Sequence, residues 1–147
     1  MIPKQAYTVF VSSADSYADI WPLFFDLFKM HWPDFDGRIV LNTQILDYTR
    51  NDLDIRCTKV GNLRHFGQTF RAGLERVETE HILLLMIDYI FMGRISGHTL
   101  NQYYDHFRTS GADSLCLVHQ PYPYTSPATH PDLLNVTPPA PTSCFPI

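Results

Sequence analysis

Apolar side chains recur along this chain in two rhythms, and the alternation between them predicts the fold class. Tyr7 to Val11 (YTVFV) is a short, nearly all-apolar run rich in β-formers, as expected of a strand covered on both faces. Small polar residues follow, Ser12-Ser13-Ala14-Asp15-Ser16, and read as a loop. The next pattern is helical. Phe24, Leu27 and Phe28 stand three and four apart, Asp19 is in place to cap the start, Pro22 fits the first turn, and Pro33 ends the run. Arg38 to Asn42 predicts a second strand and Asp54 to Val60 a third. Gln68 to Val77 predicts a second helix, with Phe70, Leu74 and Val77 on one face.

His81 to Asp88 carries six consecutive apolar residues between polar ends, which predicts a central parallel strand. Leu100, Tyr103, Tyr104 and Phe107 define a third helix, which Gly111 would stop, and Ser114 to Val118 a last strand. Strands alternating with helices imply an α/β fold: helices on both sides of a mainly parallel, doubly wound sheet. From Pro121 the character changes. Eight of the 11 prolines lie from there on, and Asp132 is the only Asp, Glu, Lys or Arg among those residues. The expected organisation is therefore a domain over residues 1–120 and an extended or disordered proline-rich tail over 121–147.

Composition narrows the function classes. With 147 residues, 45% hydrophobic and 18% charged, the chain can bury a proper core. A formal charge of −4, without a Lys/Arg run, argues against nucleic acid as a partner. The N-terminal apolar run is too short for a signal peptide or a membrane span. Three scattered cysteines, Cys57, Cys116 and Cys144, suggest reduced thiols and a cytoplasmic setting.

In an open parallel sheet, ligands collect at the carboxyl ends of the strands, near the switch point. That rule selects the loop Ser12 to Tyr17 and the pair Asp88-Tyr89. An acid ending a buried strand can hold Mg²⁺ or Mn²⁺ against a diphosphate, or can simply cap the following turn. His98, His106, Cys116 and His119 include zinc-ligand types but match no compact site. No P-loop, Rossmann glycine loop or nucleophile elbow is present, and Cys57 reads as a small strand residue.

Several segments in order resemble a known family. They are Val9-Phe10-Val11-Ser12-Ser13-Ala14-Asp15-Ser16-Tyr17, Asp19-Ile20-Trp21-Pro22-Leu23-Phe24-Phe25, Trp32-Pro33-Asp34, Ile39-Val40-Leu41-Asn42-Thr43, Phe66 to Leu74, and Glu80 to Tyr89. Together, over residues 7–119, they resemble bacterial glycosyltransferase-like proteins of surface-polysaccharide type. The resemblance implies a GT-A-like three-layer α/β/α fold that binds a nucleotide diphospho-sugar and passes the sugar to a polysaccharide or lipid-linked acceptor. It implies Ser12, Ser13 and Asp15 near the nucleotide, and Asn42 and Thr43 beside the base or ribose. Arg71 would face the donor or help position the metal-site strand, or be a solvated helix charge, and Asp88 would hold Mn²⁺ or Mg²⁺. The catalytic base is unknown.

Two departures stand out. The family pattern has two adjacent acids before the tyrosine, whereas here Ile87 takes the first position. Fewer than sixty residues follow Asp88, and nearly half of them form the proline-rich segment. Both favour a second reading beside the enzyme: a truncated or degenerate copy, or one half of a split protein, that binds without turnover. An incomplete sheet would also leave an edge for homo-oligomer pairing.

Overall fold

In a computed structural model, the structure describes residues 6–63 and 65–117, together with the strands Thr125–Pro127 and Leu134–Val136. The chain divides into two compact units, Met1–Leu100 and Asn101–Ile147. The first is an α/β unit with a four-stranded, all-parallel sheet. Its strands are β1 (Thr8–Ser12), β2 (Arg38–Leu41), β3 (Asp54–Cys57) and β4 (Ile82–Met86), in the order β3-β2-β1-β4. Register runs Val9↔Ile39 and Val9↔Leu83 across β1, and Ile39↔Ile55 beyond it.

Helix α1 (Trp21–His31) forms because Trp21, Phe24, Phe25 and Phe28 fall on one stripe, which Trp32 continues. The stripe packs on the sheet face carrying Val9, Val11, Ile39 and Leu41, all completely or almost completely buried. Pro22 sits in the first turn, where its missing N–H costs nothing. Ile20, not Asp19, precedes the first helical residue and lends no side-chain cap. A 3-10 turn, Asp15–Tyr17, occupies part of the expected loop and shifts the start. Phe25 is buried where Leu27 was expected, because the sheet and Tyr48 receive its ring; Leu27 is half-buried.

Helix α2 (Phe66–Leu74) covers the opposite face, where Phe10 meets Phe70 edge-on at 5.5 Å. It starts two residues before Gln68 and ends before Val77. β4 is an edge strand among the described residues, not the expected central one. It pairs only with β1, and Leu84 is 45% exposed because nothing described covers it. β1 takes the centre, between β2 and β4, and is fully buried.

Helix α3 (Gly97–Ser110) spans the division between the units, and Gly111 ends it with φ +70 in the left-handed region. In the second unit Ser114–Leu117 is irregular rather than a strand; Val118 lies outside the described residues. β5 (Thr125–Pro127) and β6 (Leu134–Val136) form a two-stranded antiparallel pair, so this part of the proline-rich segment is extended. Pro138 to Pro141, His119 and Cys144 lie outside the described residues.

Candidate functional site

The strand order reverses at β1. The chain leaves β1 through α1 to reach β2 on one side, and returns through α2 to β4 on the other. The carboxyl ends of β1 and β4 therefore flank the switch point. They are joined there, since the Ile87 N–H donates to the Ser12 carbonyl at 3.1 Å. This brings the Ser12–Asp15 segment and Asp88 to one rim of the sheet.

Each residue in the first loop has a defined position. Ser12 is buried, and its Oγ has no hydrogen-bond partner among the described residues. Ser13 Oγ accepts the Trp21 indole N–H at 2.8 Å, which ties the loop to α1. Asp15 is a buckle. Its carboxylate accepts the backbone N–H groups of Gln44 at 2.8 Å, Ile45 at 2.8 Å and Leu46 at 3.0 Å. In return the Asp15 N–H donates to Gln44 Oε1 at 2.7 Å. Partial burial pushes the Asp15 pKa up, but the three backbone donors more than offset this and hold it below the ordinary aspartate value.

Asn42 and Thr43 extend β2, with the Asn42 N–H donated to the Val11 carbonyl at 3.0 Å. Both side chains are buried and occupied. Asn42 Oδ1 accepts the Thr58 hydroxyl at 2.9 Å, and Asn42 Nδ2 donates to the Thr69 carbonyl of α2 at 3.3 Å. Thr43 Oγ1 accepts the Lys59 N–H at 3.2 Å. Arg71 stands apart from the group. Its side chain is 85% exposed on α2 and pairs with Glu75 one turn on, at 3.3 Å.

Asp88 is exposed in a turn closed by the Tyr89 N–H on the Met86 carbonyl at 3.1 Å. Ile87 beside it is buried within the aromatic core of the α1 face. No group of three or more His, Cys, Asp or Glu suited to a metal occurs among the described residues. The donor set thus does not fit a protein-built metal centre: it offers one carboxylate. Cys57 is no ready nucleophile, because burial pushes its thiol up to about 11.

Sequence reasoning missed the residues that hold this rim in place: Trp21, Gln44, Thr58 and Gly73. A Cβ on Gly73 would stand 2.3 Å from Asn42 Oδ1, so α2 approaches β2 only because that residue is glycine. Ser13 lies eight residues from Trp21, and the partners of Gln44, Thr58 and Gly73 lie 15 or more away, so no local pattern announces them. At the opposite end of the sheet, Phe35, Asp36, Gly37 and Asn51 to Asp54 line a hollow of about 400 Å³. Two of its acids are occupied, Asp52 by Arg50 and Asp54 by Arg38. No helix among the described residues is long and apolar enough to cross a membrane. Comparison of the chain with models of protein families, with curated proteins and with solved structures finds no match.

Proposed function

We propose that the first unit is a GT-A-like module that binds a nucleotide diphospho-sugar at the carboxyl rim of β1 and β4. The observation that carries the reading is the convergence of Ser12, Ser13, Asp15 and Asp88 on adjacent strand ends where the strand order reverses. The Asp15 buckle keeps the loop after β1 fixed against the loop after β2, which suits a site that must exist before its ligand arrives. The collinear resemblance over residues 7–119 supplies the ligand class, and a saccharide or lipid-linked acceptor would follow from it.

A second reading, binding without turnover, is favoured by Ile87. The position where the family pattern has a first acid is here a core residue, so a single carboxylate faces the ligand. Any divalent cation would be held mainly by the ligand's own phosphates, and no step is assigned to it.

Calorimetric titration with UDP and with GDP, each with and without Mn²⁺, tests the proposal. Binding that weakens at least tenfold in Asp88→Ala supports a donor site. Absence of binding by folded protein overturns it. Binding of the nucleotide, with no hydrolysis or transfer when the corresponding UDP- or GDP-sugars are supplied, supports the second reading.

A further inference from the structure

Helix α1 carries more apolar side chains than one sheet face can cover. Trp21, Phe24, Phe25 and Phe28 are buried, and Tyr48 closes the flank on the Trp21 and Phe25 side. Leu23, Leu27 and Met30 form a second apolar stripe, four and three residues apart. At about 100° per residue this stripe stands on the flank turned away from Phe25. Leu23 is 55% and Met30 67% exposed. The apolar arc of α1 is thus well over the ~100° that one buried face needs.

The segment after β4 lies along the same flank. Phe91 meets Phe24 at 5.5 Å and Phe28 at 5.7 Å, and the Ile95 N–H donates to the His31 carbonyl at 2.8 Å where the helix stops. Beside Phe91, Tyr89 is 65%, Ile90 43% and Met92 91% exposed. With Leu23 and Met30 they leave on the order of 500 Å² of apolar surface open, in the upper range of what monomers expose. Asp88 bounds this strip at the end where α1 begins, and Arg94 at the end where it stops. Both are exposed, and neither has an ion-pair partner among the described residues.

We infer that this flank is the interface of a homodimer, formed with a second copy of the chain across a two-fold axis. The strip is acidic at one end, basic at the other and apolar between, so it is self-complementary when two copies run antiparallel. Asp88 of each copy then meets Arg94 of the other. The two α1 helices also oppose their dipoles in that arrangement. Burying both strips removes about 1,000 Å² from water, the lower bound for a specific interface, so the dissociation constant should be on the order of 10 µM. The open edge of β4 is a poorer seam, because antiparallel pairing centred on Leu84 would set Glu80 against Asp88. Dimerisation of this kind requires no nucleotide.

Sedimentation velocity of the full chain, from about 1 to 100 µM and without nucleotide, tests it. A reversible monomer–dimer equilibrium is expected. Met30→Asp and Met92→Asp should each weaken it about tenfold or more. Both side chains are mostly exposed in the monomer, so the urea unfolding curves of these variants should match that of the unmodified chain. Arg94→Glu should also weaken the dimer about tenfold, by setting acid against acid, and adding Asp88→Arg should restore it. That rescue is specific to the antiparallel pairing. A chain that stays monomeric at about 100 µM overturns the inference. So does a dimer indifferent to both methionine substitutions, or one that the double charge swap fails to restore. Absence of UDP binding bears on the proposed function alone.

Discussion

Asp15 joins two loops through one carboxylate and three backbone donors, a geometry available only to the ionised side chain. Asp15→Asn should therefore cost about 1–3 kcal/mol near neutrality, read from urea denaturation. The sign of its pH dependence follows from the lowered pKa. The carboxylate's contribution is complete above the unfolded value of 3.8 and is lost as pH falls through the lower folded value. The stability gap between the two proteins should stay constant from about pH 7 to pH 5 and close on further acidification. Ile87 gives the opposite kind of test. Ile87→Asp restores the acid pair on paper but places a carboxylate among Phe and Trp side chains. We expect a loss of about 3–5 kcal/mol and no gain in Mn²⁺ affinity by calorimetry.

Helix α1 and helix α2 show two ways of attaching to one sheet. Phe28 touches Phe25, Trp32, Phe35 and Phe91 with ring centroids 5.1 to 6.4 Å apart, so Phe28→Ala should cost about 3–5 kcal/mol in the same denaturation assay. Gly73→Ala on α2 should cost about 1–3 kcal/mol, because the added methyl meets the Asn42 amide and the Phe10 ring. Of the α1 stripe, Phe24 and Phe28 were readable from their spacing of four, whereas Trp21 and Phe25 were not, and Leu27, which the same spacing selects, is only half-buried. The start of α2 was not readable. Its first turn holds the exposed Phe66 and Gly67, which carry no burial pattern, and its buried positions are a threonine and a glycine. β4 misled for a related reason. Six apolar residues specify a hydrophobic strand, but not how many neighbours it has, and among the described residues it pairs with β1 alone, which places it at the edge.

Across the whole molecule, the α/β class was legible because β1, β2 and β4 are short apolar runs between turn residues, whereas β3 (Asp54–Cys57) mixes charged and apolar residues and ends short of the expected Val60. The placing of the rim residues was legible only in part. Ser12, Ser13, Asp15 and Asp88 follow from the rule that ligands gather where strands end. That Asn42 and Thr43 turn inward depends on Thr58 and Thr69, which are 15 to 27 residues away. Arg71 illustrates a charge on a helix whose direction no linear pattern gives; it faces water beside Glu75.

The uneven chemistry of the two sheet faces also governs how this protein can be watched. Its two tryptophans, Trp21 and Trp32, both lie in the aromatic core on the α1 side. Intrinsic emission therefore reports on that half and is blind to α2. A melt followed by tryptophan fluorescence should follow the loss of packing on the α1 side, while far-ultraviolet circular dichroism sums over every helix, α2 included. The separation between the two curves is an optical measure of how independent that helix is.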